Sequence, residues 1–301
     1  MSEYFVKLKS IYLNDITEVK IVMPNPPMRT ATNPEEFYSS GQKFKVLWLL
    51  HGGRDTLRDW FSFSNVARLA LQYGIMLVMP EGRDSDYVNH PEIGDGYYFS
   101  DFFFKELMPF IYNWFPASSN PKDNFLAGNS MGCAATWQYG ILHPGKFGCI
   151  APLCNQPLDY SHLEPYRTMT TAEFRAAALA DEHTFKPAYG GIGEGIHIKE
   201  VNTISKYETV GDFLDSIENT MPRFWEAAES GRLPNAWIPC GTEPRDRKLL
   251  EFKESCEKAG LDSLHFDVFE GDTHNFEFWE RSIELFLKYL QLPKIDYFIG
   301  V

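Results

Sequence analysis

The chain has 301 residues, of which 44% are hydrophobic and 23% charged, a composition typical of a globular protein with a large buried core. Its 28 basic and 41 acidic residues give a net charge of −13, and so acidic a surface repels nucleic acid and anionic membranes. Neither is expected as a partner.

The sequence gives no sign of a targeting or membrane-spanning segment. Met1–Asn14 holds no long apolar stretch behind a basic one, and no later segment reaches the roughly 18 apolar residues that a membrane helix needs. The five cysteines are an odd number and lack zinc-finger spacing, which favours reduced thiols in the cytoplasm and predicts no metal site. The oligomeric state is open, with a homo-oligomer as one alternative.

Strand and helix patterns alternate through the first half of the chain. Two strands open it, and a nearly continuous apolar run at 44–50 predicts a strand buried on both faces. The predicted strands are Tyr4–Leu13, Glu18–Met23, Phe44–Leu50, Ile75–Met79, Asn124–Ala127 and Phe147–Leu153, with helices at Val66–Tyr73, Ser100–Trp114 and Ala134–Leu142.

The pattern loosens between 155 and 231 and then becomes regular again. Within that stretch only short helical pieces are predicted, such as Thr171–Ala180 and Asp212–Glu218. Beyond it follow a strand at Ala236–Cys240, a helix at Arg247–Ala259, a strand at Leu264–Phe269 and a helix at Phe278–Leu290. Such alternation predicts one α/β domain over 1–301, with a mostly parallel sheet of eight strands, helices on both faces, and 155–231 as a lid or cap insertion.

The motif Gly128-Asn-Ser-Met-Gly132 lies between a predicted strand and a predicted helix. G-x-S-x-G in this context predicts a sharp strand-to-helix turn that exposes a serine hydroxyl above the sheet. The same motif in an ordinary Gly-rich turn would have no catalytic role, but the flanking strand and helix favour Ser130 as a nucleophile.

A serine hydroxyl needs a base beside it, and His274 is the best-placed histidine. It follows the last predicted strand, and the carboxyl ends of parallel strands meet at one edge of the sheet. An acid after the preceding strand would orient the imidazole, in the chain order Ser, Asp/Glu, His. Asp246 is favoured and Glu243 is the alternative. Either could also be a solvated loop acid, and Asp246 could be a helix cap.

His51-Gly52-Gly53 follows the buried strand at 44–50. Two glycines at that point allow backbone amides to face a developing oxyanion, and the predicted pair of donors is the N–H of Gly53 and the N–H of Met131. Gly52, Arg54 and Asn129 are the candidate substrate contacts, although for Arg54 a solvated side chain is the favoured alternative.

These segments together resemble the putative-esterase family of α/β-hydrolases, which includes tributyrin, feruloyl and acetyl-xylan esterases and the S-formylglutathione hydrolase group. The similarity is collinear over most of the chain outside the insertion. It rests on Leu49–Gly53, Leu77–Gly82, Tyr87–Asn89, Leu126–Gly132, His143–Gly148, Cys240–Glu243 and Gly271–Trp279. The resemblance implies the α/β-hydrolase fold and the roles given above for Ser130, His274, Gly53 and Met131.

One departure from the family pattern affects the acid. The family usually reads Gly-Thr-Glu-Asp where this chain has Pro244, and a proline cannot orient an imidazole. Asp246 or Glu243 replaces that aspartate, or the triad is incomplete. Cys133 stands where glycine is usual and is expected to pack.

The expected function is therefore hydrolysis of a small-molecule ester, carrying a short acyl, acetyl or feruloyl group, through an acyl-enzyme and without a cofactor. Two alternatives remain at this point. Acyl transfer uses the same residues with an alcohol in place of water, and Pro244 motivates a catalytically impaired binding protein on the same fold.

Overall fold

The computed structural model describes residues 1–26, 33–180, 198–271 and 273–295. The chain divides into two compact units, one formed by Met1–Gln156 with Arg232–Val301 and the other by Pro157–Gly231. The smaller unit coincides closely with the predicted insertion at 155–231. Its role as a lid stays a prediction.

Eight strands in the described residues form one sheet, in the order β1-β2-β4-β3-β7-β8-β9-β10. The pairs β1–β2 and β2–β4 are antiparallel and all other neighbours are parallel, which confirms the predicted mostly parallel sheet and gives it one antiparallel edge. A separate two-stranded hairpin, β5–β6, was not predicted. The strands are β1 Ser2–Ser10, β2 Asp15–Met23, β3 Val46–Leu50, β4 Met76–Pro80, β5 Asn89–His90, β6 Tyr97–Tyr98, β7 Asn124–Gly128, β8 Cys149–Pro152, β9 Ala236–Cys240 and β10 Leu264–Val268.

The central strands are buried along their whole length, as their sequences predict. Every residue of β3, β4, β7 and β9 is buried, because helices cover both faces of a parallel sheet. Strand β10 lies at the other edge from β1 and is only partly buried. The carboxyl ends of β3, β7, β9 and β10 therefore meet on one side of the sheet, where the candidate site residues follow.

The larger unit carries helices of very different length. They are α1 Pro34–Ser39, α2 Asp59–Ser62, α3 Val66–Gln72, α4 Phe99–Asp101, α5 Met108–Trp114, α6 Met131–Leu142, α11 Arg247–Lys258 and α12 Phe276–Tyr289. The predicted helix at Ser100–Trp114 is interrupted by a π-helical stretch at Phe102–Leu107. Pro109 follows this stretch; it has no amide hydrogen and crowds the carbonyl four residues earlier, which favours a wider turn there. No helix in the described ranges is long and apolar enough to cross a membrane.

The smaller unit has its own core. Helices α7 Thr171–Ala180, α8 Ile198–Ile204, α9 Val210–Leu214 and α10 Thr220–Glu229 build it. Phe174 and Phe213 are among the buried side chains of its apolar cluster. Thr209 and Asp212 cap the start of α9 reciprocally, so that each accepts the other's backbone N–H. Residues 181–197 of the predicted insertion lie outside the described residues.

Helix α12 closes one face of the sheet through an aromatic contact. Phe286 is fully buried, with its ring centroid 6.3 Å from that of Phe125 on β7 and 6.1 Å from that of Trp237 on β9. Aromatic pairs at these distances contribute beyond their buried area. The contact fixes the helix that follows His274 against two central strands.

We expect Phe286→Ala to lower the free energy of unfolding by about 3–5 kcal/mol, because it leaves a cavity between α12 and the sheet. Lys288→Ala on the same helix is the matched control. It removes only an exposed pair with Glu284 and should change stability by less than about 0.5 kcal/mol. Urea denaturation followed by circular dichroism measures both, and equal small effects would contradict this packing.

Candidate active site

Ser130 lies at a strained turn between β7 and α6. Its backbone has φ 51° and ψ −114°, a region that residues with a Cβ rarely occupy. Helix α6 begins at Met131, directly after the serine, as the motif predicts. The turn leaves the Ser130 side chain partly exposed, while the five residues before it are buried.

Both glycines of the motif are required by close backbone packing. A Cβ on Gly128 would lie 2.4 Å from the carbonyl oxygen of Gly132, and a Cβ on Gly132 would lie 2.6 Å from the carbonyl oxygen of Leu50. Neither contact is possible for a real side chain. The first turn of α6 therefore packs directly against the ends of β3 and β7, which holds the serine at the edge of the sheet.

The loop after β3 approaches the same turn. A Cβ on Gly53 would lie 4.0 Å from the Cβ of Met131, so the two predicted oxyanion donors belong to neighbouring backbone segments. Among the described residues, no acceptor is present for the N–H of Gly53 or for the N–H of Met131. Met131 is the first residue of α6, where the helix dipole favours negative charge. Two unsatisfied amides in this position suit an oxyanion.

His51 anchors this loop from below. Its ring is 1% exposed, and its Nε2 accepts the N–H of Gly82 at 2.8 Å. The proton therefore sits on Nδ1, which donates to the carbonyl oxygen of Gly52 at 2.7 Å. The hydroxyl of buried Tyr87 donates to the carbonyl oxygen of His51 and accepts its N–H. Burial raises the pKa of Tyr87 well above its ordinary value, so it stays a neutral donor.

The two acid candidates have different environments. Asp246 is 1% exposed, ends the 3₁₀ turn Pro244–Asp246, and accepts a hydrogen bond from the hydroxyl of Thr273. Glu243 is exposed at the start of the same turn. Thr273 directly precedes His274, so the buried carboxylate is tied to the loop that carries the predicted base.

His274 is exposed and packs edge-to-face on Trp279, with the ring centroids 5.3 Å apart. Its loop also packs on the loop after β9, since a Cβ on Gly241 would lie 2.4 Å from the carbonyl oxygen of Gly271 and 2.9 Å from the side chain of Thr273. Within the described residues the hydroxyl of Ser130 has no hydrogen-bond partner, so a Ser130–His274 bond stays a prediction. Catalytic hydrogen bonds often tighten only when substrate is bound.

Two thiols lie behind the serine. The sulfur of Cys154 accepts the N–H of Ser130 at 3.1 Å, and the thiols of Cys154 and Cys133 share a hydrogen bond. That bond and burial raise the pKa of Cys154, and the nearby charge of Asp246 raises it further. Both thiols are buried, which keeps them from a substrate carbonyl. Cys133 packs, as expected, and its partner Cys154 supports the turn.

The three residues expected to touch substrate differ in exposure. Arg54 is exposed, whereas Gly52 is buried with no room for a Cβ. Asn129 is 0% exposed, and its side-chain amide donates to Asp55 at 3.4 Å. The side chain of Asn129 is therefore buried against the loop that follows β3. A substrate contact by Gly52, Arg54 or Asn129 stays a prediction.

Left-handed backbone is concentrated around the site. Seven non-glycine residues of the described chain have positive φ. Five of them lie on the loops after β3, β4 and β7, namely Arg54, Arg83, Asp86, Tyr87 and Ser130. Strain of this kind persists only where surrounding contacts enforce it, and it is common at active sites.

We expect Gly132→Ala to reduce esterase turnover by about 10²-fold, because a small displacement of Ser130, the predicted nucleophile, is costly. Gly145→Ala is the control. Unlike Gly132, Gly145 has a left-handed φ, of +79°, and nothing lies within 4 Å of an added Cβ, so the variant should lose about 1–2 kcal/mol of stability and no turnover. Steady-state kinetics on a p-nitrophenyl ester decide this, and unchanged turnover in the first variant would contradict the packing argument.

Comparison with known proteins gives relatives over most of the chain. An acetyl esterase of Caldicellulosiruptor saccharolyticus is 22% identical over 255 residues, covering 80% of this chain and 81% of the relative. Among solved structures, the fluorophosphonate-binding serine hydrolase FphF of Staphylococcus aureus has a TM-score of 0.69 at 18% identity, covering 96% of this chain and 98% of that one. The S-formylglutathione hydrolase FrmB of the same organism has a TM-score of 0.68 at 17% identity, covering 96% and 99%.

These structures share the predicted α/β-hydrolase fold. The family model described as "Putative esterase" matches residues 23–238, which is more than half of the chain. The match confirms the prediction of an ester hydrolase. The chain belongs to the putative esterase family.

Proposed function

We propose that the protein is a serine carboxylesterase that hydrolyses small esters through an acyl-enzyme. The observation that carries the proposal is the pair of amides on Gly53 and Met131, which have no acceptor among the described residues and lie beside the strained and partly exposed Ser130. A carbonyl oxygen placed between these two amides would have its carbon next to the serine hydroxyl. Preorganised donors of this kind are usually the largest single contribution to acyl-transfer catalysis.

In the proposed reaction, the hydroxyl of Ser130 attacks the ester carbonyl and His274 takes its proton. The tetrahedral oxyanion accepts hydrogen bonds from the two amides. It collapses when the bond to the alcohol breaks, and His274 gives the proton to the leaving alcohol. Water then attacks the acyl-enzyme by the same route, which releases the carboxylic acid and restores Ser130.

Asp246 is the acid we propose to orient the imidazole of His274. It is buried and bonded to the residue before the histidine, while Glu243 is exposed. Pro244 opens the 3₁₀ turn that ends at Asp246, so the acid lies two residues after the family's usual position. This arrangement supports a complete triad over an impaired one.

For the substrate we propose a short acyl group, acetyl first. The support is the similarity to an acetyl esterase, which covers about four-fifths of both chains. Feruloyl esters are the second class to test, because several structural neighbours are ferulic acid esterases.

We expect Ser130→Ala to abolish hydrolysis of p-nitrophenyl acetate and labelling by a fluorophosphonate probe, since both need the nucleophile. Ser255→Ala, which removes an exposed hydroxyl on α11, is the control and should retain both. Hydrolysis that persists in the first variant, or wild-type protein without activity on any acyl ester, would refute the proposal.

We expect Asp246→Asn to lower turnover by roughly 10³–10⁴-fold, the size of effect seen when a triad acid loses its charge. Glu243→Gln, three residues away, should stay close to wild type because its side chain is in solvent. Steady-state rates with a p-nitrophenyl ester compare the two. Equal, mild losses would mean that neither acid orients His274.

A further inference from the structure

The loop after β3 contains three consecutive backbone amides, those of Gly52, Gly53 and Arg54, which differ in their hydrogen bonds. The N–H of Gly52 donates to Asp55 at 3.2 Å, and the N–H of Arg54 donates to Asp84 at 2.7 Å. Between them, the N–H of Gly53 has no acceptor among the described residues. Two carboxylates therefore occupy the flanking amides and leave the middle one for a ligand.

The peptide unit between Gly52 and Gly53 is held through its carbonyl. That oxygen accepts the Nδ1–H of His51 at 2.7 Å and the backbone N–H of Asp55 at 3.3 Å. In a trans peptide the N–H points opposite to the C=O. Two donors on the carbonyl therefore fix the direction of the Gly53 N–H, which supplies one half of the proposed oxyanion hole.

Asp55 also contacts the turn that carries Met131, the other proposed oxyanion donor. Its Oδ2 accepts the side-chain amide of Asn129 at 3.4 Å, and Asn129 directly precedes Ser130. A Cβ on Gly52 would lie 2.8 Å from this Oδ2, 3.0 Å from Asn129 and 3.2 Å from the Cβ of Ser130. One carboxylate oxygen thus joins the loop that carries Gly53 to the turn that carries Ser130 and Met131.

We propose that Asp55 is a positioning residue for the oxyanion hole, which sets the spacing between the amides of Gly53 and Met131. The inference rests on the proposed esterase function and adds a residue to it. Asp55 acts through the backbone and touches no reacting atom. Because both of its side-chain hydrogen bonds go to N–H donors near the site, its loss frees two segments at once.

The test compares Asp55→Ala with wild type on p-nitrophenyl acetate and with a trifluoromethyl ketone that forms a tetrahedral adduct on the serine. Removing one oxyanion donor costs about 10²–10³-fold in turnover, so misplacing the pair should cost about 10²-fold. We expect kcat to fall with KM nearly unchanged, because the oxyanion exists only in the transition state. Affinity for the ketone should fall by the same factor as kcat/KM.

Two further variants separate positioning from general loop stability. Asp55→Asn keeps one acceptor oxygen in the same place and should recover most of the loss. Asp59→Asn, four residues further along at the start of α2, weakens the hydrogen bonds that Asp59 accepts from the N–H and the hydroxyl of Thr56, and should leave kcat and ketone affinity near wild type. Thermal melting of all variants accompanies the kinetics.

Three results would overturn the inference, and they differ from those that would refute the esterase. The first is Asp55→Ala with wild-type kcat in active enzyme. The second is a loss confined to KM. The third is an equal loss in Asp59→Asn. Absent activity in wild type would instead refute the proposed function, before Asp55 is considered.

Discussion

The close approach between the first turn of α6 and the ends of β3 and β7 is the constraint on which the rest of the site depends. It exists because Gly128 and Gly132 have no Cβ, and a methyl group at either would meet backbone at 2.4–2.6 Å. With the helix start held there, Ser130 must adopt a left-handed backbone, and the amide of Met131 becomes the first free donor of the helix. The positions of the proposed nucleophile and of one proposed oxyanion donor therefore have the same structural cause.

The loop after β3 completes this arrangement through side chains that bind backbone. Backbone groups on either side of the Gly53 amide are hydrogen-bonded to the side chains of His51, Asp55 and Asp84. The hydroxyl of Tyr87 in turn donates to the backbone carbonyl of His51. Donors fixed before the substrate arrives need no reorganisation during the reaction, which is the physical basis of electrostatic catalysis. The geometry supports an esterase more strongly than any single residue does, because all these contacts leave the same amide unoccupied.

Much of the sheet could be predicted from the sequence, because continuous apolar runs indicate strands buried on both faces. Strand β9 was predicted with its observed ends, and β3, β4 and β7 within two residues. The hairpin β5–β6 and helix α2 were missed, since elements of two to four residues are too short for a hydrophobic period. The π-helical stretch at Phe102–Leu107 was read as ordinary helix because both share one apolar face.

The candidate site, like the sheet, could be predicted from the sequence only in part. The positions of Ser130, Gly53 and Met131 next to one another could be predicted from motifs and their neighbouring elements, and their catalytic roles stay a proposal. The choice between Asp246 and Glu243 needed burial, which loop sequences do not reveal. The roles of Asp55 and His51 in holding the loop could not be predicted, because they arise from contacts between side chains and backbone that hydrophobic periodicity does not reveal.

The cluster of left-handed residues has a consequence for how this enzyme can change. A non-glycine residue in that conformation costs of order 1–3 kcal/mol, so the loops that carry Arg54, Arg83, Asp86, Tyr87 and Ser130 hold a reserve of recoverable stability. Replacing such a residue by glycine would relieve the backbone strain and raise the free energy of unfolding. Selection for thermal endurance alone would therefore tend to erode the site, and engineers should seek stabilising changes away from these loops.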